Sequence, residues 1–300
     1  MTQLDFILWL QSLRSPLLDA FFTFINSTAR DDFITLVAVV LYWCVNPLVG
    51  LRFLLLLLLS GYLHTALKDL LRIPRPPKEA LLFLVERRNG SYAFPSGDAM
   101  NASVMWSYLA GRYRCWLLVV AAVLLIPLVG LARIYRGAHW PADVVGGIVI
   151  GVALAWLGLR LYRLWDERRP VLTLPWELAL SLAIPLLLFA LYPKGPATPP
   201  PSLATAAMVT GTALGVALGY SLERRYVRFP VRVALWKQVV KVAIGLATVF
   251  LLRMLLGQLF PPGAWPRFAR FALIGLWGTL GAPWVFKIVF SPERKGGTQP

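Results

Sequence analysis

Apolar residues run along this chain in long unbroken stretches rather than in strict alternation. Runs at about 33–50, 52–67, 96–111, 115–132 and 143–162 each predict a helix through membrane hydrocarbon, and further runs follow at about 174–192, 203–222, 236–256 and 268–290. Continuous runs argue against a membrane β-barrel, whose strands alternate. The first segment differs. Leu4, Ile7, Leu8, Leu13, Leu17, Leu18, Phe21 and Phe22 predict one amphipathic helix over 4–26, interrupted by Arg14 and Pro16, that lies in the interface or crosses at a tilt. Asn46-Pro47 closes the span that follows it. The longest polar connection, 68–92, holds Lys68, Arg72, Arg75, Lys78, Glu86, Arg87 and Arg88 among several prolines, and long connections tend to be functional. Residues 195–201 form a short proline-rich connector, and the tail from Ser291 is polar. The pattern predicts an all-α polytopic transmembrane helix bundle.

Composition agrees with that picture. The chain is 58% hydrophobic and 15% charged, against about a quarter charged in soluble domains, and its mean hydropathy is +0.66. A net charge of +16 would suggest nucleic acid in a soluble protein. Here the cations sit in short loops, follow the positive-inside bias and can meet anionic headgroups, and no nucleic-acid-binding module is present. Membrane lipids, not nucleic acid, are the expected partners. Cys44 and Cys115 end apolar runs with neither disulfide nor metal spacing. The start, Met1-Thr-Gln-Leu-Asp5, lacks the basic segment and cleavage site of a secretory leader.

Loop charge also predicts sidedness. Two spans separate the 68–92 connection from residues 133–143, so both lie on one side. Arg52, Arg112, Arg114, Arg163, Arg168, Arg169, Arg224, Arg225, Arg228, Arg232, Lys237, Arg294 and Lys295 fall on the other. The second set is the denser, which makes its side cytoplasmic and the first side periplasmic or extracellular.

The first side collects the polar chemistry. Lys68 and Arg75, then Pro95-Ser96-Gly97-Asp98, then Arg133, His139 and Asp143 reach it from separate stretches. Arginine presents a planar fork to phosphate oxygens and lysine a point charge. Ser96 and Gly97 open a helix, where free N–H groups favour anions. An imidazole four residues before a carboxylate is a nucleophile with a group to fix its tautomer. Together these fit phosphoryl transfer, where catalysis is mostly positioning and charge stabilisation. Each residue also has a plainer reading: Lys68 and Arg75 as interface anchors, Ser96 as a helix cap, His139 as an interfacial histidine. Arg72, Arg87, Arg88 and Arg136 read as headgroup contacts or solvated charges, and Tyr135 and Trp140 as interface-belt aromatics.

The three stretches resemble the type 2 phosphatidic-acid phosphatase (PAP2) and vanadium haloperoxidase superfamily, which carries Lys-x6-Arg-Pro, Pro-Ser-Gly-His and Ser-Arg-x5-His-x3-Asp. The likeness covers roughly residues 20–163. It implies a six-helix core within 1–165, completed or flanked by 174–192, and an additional C-terminal transmembrane region within 166–300. It also implies a membrane lipid phosphatase in which His139 forms a phosphohistidine, Asp143 orients it, Lys68, Arg75, Ser96, Gly97 and Arg133 hold the phosphate, and neither metal nor cofactor is needed. The implied substrate is a phospholipid or polyprenyl phosphate or diphosphate.

Two positions depart from that pattern: Asp98 stands where the family has the histidine expected to protonate the leaving group, and Ala132 where it has serine. Asp98 could be the acid, or a diphosphate could leave with little help. His64, one helical turn before Lys68, could replace the acid, and Asn101 could simply hold Asp98. The chain could also bind lipid phosphate without turnover, or pass the phosphoryl group to another acceptor. Gly211, Gly215 and Gly219 repeat at GxxxG spacing, which serves either packing inside the chain or a homodimer.

Overall fold

A computed structural model describes residues 2–77, 81, 91–168, 172–193 and 200–290, and every regular element among them is a helix. The connection residues Lys78, Glu86, Arg87 and Arg88, most of the 195–201 connector, Arg169, and the tail with Arg294 and Lys295 lie outside the described residues.

The amphipathic 4–26 segment is two helices, α1 (Gln3–Ser12) and α2 (Pro16–Ser27). The break has a local cause. Ser15 caps α2 through Leu18 N–H, and Pro16 takes the first helical position, where its missing donor costs nothing. At 10 and 12 residues neither helix is long enough to cross a bilayer, so no single tilted helix spans here. Helix α3 (Asp31–Val40) runs into a π turn (Leu41–Val45) that ends at Asn46, four residues short of the expected boundary. Asn46 is extended, and its side chain caps α4 (Pro47–Leu71) by accepting Val49 N–H. Helix α4 runs past the expected end at 67, so Lys68 lies on a helix rather than in a loop. Next come α5 (Gly97–Tyr113), α6 (Trp116–Tyr135), α7 (Pro141–Arg168), α8 (Leu174–Ala190), α9 (Pro200–Leu222), a second π turn (Glu223–Val227) and α10 (Leu235–Leu259). Helix α11 (Ala264–Leu276) continues through a third π turn (Trp277–Gly281) into α12 (Ala282–Phe290).

Six of these stretches are long and apolar enough to cross a membrane: Pro47–Leu71, Trp116–Tyr135, Pro141–Arg168, Pro201–Val227, Leu235–Leu259 and Ala264–Phe290. Helices α5 and α8, at 17 residues each, are shorter. Large apolar side chains stay exposed along α6, α7 and α10, among them Val123, Val149, Trp156, Phe250 and Met254. In water such a surface would associate, whereas in a bilayer it is solvated. The chain is a multi-pass membrane protein.

Small residues let the helices close up. A side chain at Gly147 would place Cβ 2.6 Å from the Ser96 carbonyl oxygen, and one at Gly151 would place it 2.5 Å from that of Met100, so α7 packs backbone to backbone on α5. Between α9 and α11, a side chain at Gly211 or Gly215 would drive its Cβ into the carbonyl oxygen of Phe268 or Ala272, and one at Gly219 would meet Thr279. The GxxxG stripe therefore packs inside the chain, and a homodimer would have to use another surface. Far from the 133–143 segment, Lys241 is fully buried and donates to the carbonyls of Trp43 (2.8 Å), Pro230 (3.1 Å) and Val231 (2.9 Å), while Trp43 Nε1 donates to Gly278 O (2.9 Å). These bonds tie the first π turn to the C-terminal helices.

Candidate active site

Helix directions bring the polar stretches together. The C-terminal ends of α4 and α6 and the N-terminal ends of α5, α7 and α9 meet at one end of the bundle. Lys68, 6% exposed in the last turn of α4, donates from Nζ to the carbonyls of Tyr92 (2.9 Å) and Ala93 (2.8 Å), so it anchors the chain that leads into α5. Arg75 Nε donates to Ser91 O and Nη1 to Ala138 O, both at 2.9 Å, which joins the segments around 75, 91 and 138. Ser96 N–H donates to Asp143 O (2.9 Å), so the starts of α5 and α7 are linked directly. Ser96 occupies the N-cap position of α5, but its Oγ caps nothing and is buried without a hydrogen-bond partner.

His139 lies on the α6–α7 connection and is 3% exposed. Its Nδ1 is 3.5 Å from Asp143 Oδ2, beyond a well-formed hydrogen bond, and that oxygen accepts Trp140 N–H at 2.8 Å. Burial, and then the positive charges of Lys68, Arg75 and Arg133, push the His139 imidazolium well below the usual histidine range, so the ring stands neutral. Asp98, in the first turn of α5, forms an ion pair with Arg133 Nη1 at 2.9 Å, and the same nitrogen donates to Asn26 Oδ1 at 3.3 Å.

These groups surround one cavity of ≈ 500 Å³. Lys68, Arg75, Gly97, Asp98, Arg133 and His139 line it, while Ser96 and Asp143 stand behind that wall. His64 lines it too, with its ring against Gly97.

Several side chains play other parts than the sequence suggested. Arg136, read as a solvated or headgroup charge, is 9% exposed and lines the cavity. Tyr135, read as a belt aromatic, is fully buried, stacks near Phe22 at 4.4 Å between ring centroids, and donates to Asp19 Oδ1 at 2.5 Å. Trp140 is half-buried and donates from Nε1 to Pro74 O at 2.9 Å. Asn101 accepts from Ser60 Oγ at 2.7 Å. Ser202 and Thr205 on α9 and Arg253 on α10 also line the cavity, so its wall includes the C-terminal helices. A signal for Arg253 existed: an arginine inside the apolar run 236–256 is costly unless something polar receives it. Asp69 offers a similar one. It is 4% exposed and accepts Tyr192 O–H at 2.5 Å, joining α4 to the segment after α8.

Comparison with known proteins adds to this geometry. The model of the PAP2 superfamily matches residues 49–167, and that of the PAP2 superfamily phosphatase transmembrane extension matches residues 207–294, together more than two thirds of the chain. Lipid phosphate phosphatase delta of Arabidopsis thaliana is 28% identical over 244 residues, which is 74% of this chain and 56% of that protein. Sphingosine-1-phosphate phosphatase 2 of Homo sapiens is 32% identical over 119 residues, 38% of this chain and 30% of that one. The chain thus spans about half the length of the first relative and under a third of the second. Among solved structures, a transmembrane PAP2 type phosphatidylglycerolphosphate phosphatase from Bacillus subtilis aligns over 57% of this chain and 87% of its own, at 23% identity and a TM-score of 0.47.

Proposed function

For this chain, which belongs to the PAP2 superfamily, we propose an integral-membrane phosphatase that hydrolyses a lipid-linked phosphate or diphosphate at the exoplasmic face. The observation that carries the reading is the single cavity to which three separate stretches bring Lys68, Arg75, Gly97, Asp98, Arg133 and His139. In it, a neutral His139 attacks phosphorus, the bond to the leaving oxygen breaks, and water then hydrolyses the phosphohistidine. Asp143 orients the imidazole and stabilises the positive charge the ring gains on attack. Lys68, Arg75 and Arg133 balance the charge on the equatorial oxygens, and the start of α5 adds the Gly97 N–H as a donor. The names of the relatives, a lipid phosphate and a sphingosine-1-phosphate phosphatase, support the substrate class. The exoplasmic placement rests on the denser basic loops at the opposite end.

One observation favours a second reading. Asp98 is engaged by Arg133, which leaves open a lipid-phosphate binder that no longer turns substrate over. Phosphate release from phosphatidic acid and from a polyprenyl diphosphate in detergent separates the two. The enzyme releases phosphate and His139→Ala does not. Equal release by both proteins would leave the binder.

A further inference from the structure

We propose that His64 is the proton donor to the leaving oxygen, an inference that rests on the phosphatase reading above. An alkoxide leaves phosphorus poorly unless a proton reaches it, and a positioned acid is worth typically about 10²–10⁴-fold. Among the described residues, the cavity offers few donors for that task. Asp98 is ion-paired with Arg133, and a carboxylate so engaged is an acceptor. Asp31 and Asp32 are exposed at the rim. Lys68 already gives two of its protons to the Tyr92 and Ala93 carbonyls. His139 is the nucleophile. His64 remains.

Its position suits the role. His64 lies one turn before Lys68, on the same face of α4. Its Cε1 and Nε2 lie 3.1 Å, and Nδ1 3.2 Å, from the point where a Cβ on residue 97 would sit, so the ring lies across the first residue of α5, where the phosphate is held. Glycine at 97 makes room for that ring. The Thr65 hydroxyl donates to Gly61 O at 2.7 Å, so towards His64 Nδ1, 3.4 Å away, it presents a lone pair. That favours a proton on Nδ1. The chain has two histidines, and both line this one cavity, His64 from α4 and His139 from the α6–α7 connection.

The step balances. As a His139 nitrogen bonds to phosphorus, the ester P–O bond breaks and the leaving oxygen takes a proton from the His64 imidazolium, which releases the alcohol. Water then attacks phosphorus, the N–P bond breaks, the proton of that water passes to solvent, and the neutral His64 is reprotonated from solvent. Ester and water become alcohol and inorganic phosphate, and both rings return to their starting state.

The test compares leaving groups in the full-length protein. Wild type, His64→Gln, His64→Asn and His139→Ala are assayed on phosphatidic acid, whose leaving group is an alkoxide, and on p-nitrophenyl phosphate, whose leaving group needs no proton. Inhibition by inorganic phosphate checks that the cavity is intact. The expected result is a kcat lower by about 10²–10⁴-fold on phosphatidic acid for both His64 variants, with little change on p-nitrophenyl phosphate or in phosphate inhibition, and partial recovery when Asp98→His is added to His64→Gln. Unchanged turnover of phosphatidic acid by the His64 variants, or an equal fall on both substrates, overturns this inference alone. Wild-type turnover no higher than that of His139→Ala overturns the phosphatase reading and this inference with it.

Discussion

At the scale of residues, the cavity works by fixing protonation and counting donors. His139 is held neutral by burial and by the cations around it, so in the proposed reaction it needs no base before attack. Its folded-state range lies below the unfolded one. The unfolded ring therefore binds a proton first as pH falls through about 6.5, and that contribution to stability is present above this pH and declines below it. With two histidines in the chain, histidine-labelled protein gives two resonance sets, and the one absent in His139→Ala should stay in the neutral form from pH 8 to pH 6. A midpoint near 6.5 would contradict this. Lys68 spends two of its three N–H groups on carbonyls and has one left for a phosphate oxygen. Lys68→Met should lower kcat/KM roughly 10–100-fold, the equivalent of a charge-assisted hydrogen bond of about 1.5–3 kcal/mol. These residues were legible in the sequence because their types and spacings are specific to anion chemistry. Arg136 and Tyr135 were not, because a side chain next to a motif gives no sign of which way it faces.

At the scale of helices, the long apolar runs announced themselves and their ends did not. The break between α1 and α2 and the early stop at Asn46 depend on caps and prolines of three or four residues, which an averaged hydrophobic pattern smooths over. The glycine stripe was visible, but its partner was not: only the packed chain shows α11 backbone filling the space beside Gly211 and Gly215, and the Thr279 side chain that beside Gly219. Gly215→Leu should destabilise the protein by at least about 1–3 kcal/mol, because the new side chain meets backbone that cannot rotate away. Gly278→Ala, where nothing lies within 4 Å of the new methyl, is the matched control and should unfold no earlier than wild type in detergent. Similar thermal unfolding for both variants would remove the close-packing argument.

At the scale of the whole molecule, charge distribution sets orientation and the C-terminal helices complete a wall. With Cys44 and Cys115 replaced by alanine, an impermeant thiol reagent should label Arg72→Cys in intact cells and spare Arg112→Cys; the reverse pattern would place the cavity on the cytoplasmic side. Arg253 reaches the cavity from α10 and is exposed there, so Arg253→Ala should raise KM for an anionic lipid up to about fivefold, within the roughly 0–1 kcal/mol of an exposed charge contact, and leave kcat nearly unchanged. Apolar runs beyond residue 166 predict further spans, and Arg253 inside one of them is the one sign in the sequence that they reach the cavity. That contact depends on α9 and α11 closing up, which no single residue encodes.

The shared wall has a bearing on how such a protein can diversify. Ser202, Thr205 and Arg253 belong to neither the imidazole nor the cations that neutralise it, yet they border the space a headgroup would fill. Substitutions there can remodel the mouth while leaving the reactive centre intact. Under the proposed phosphatase reading, lipid preference would drift on one half of the polypeptide while the proposed bond-breaking residues are inherited unchanged on the other, and grafting α9 and α10 between relatives is the way to test it.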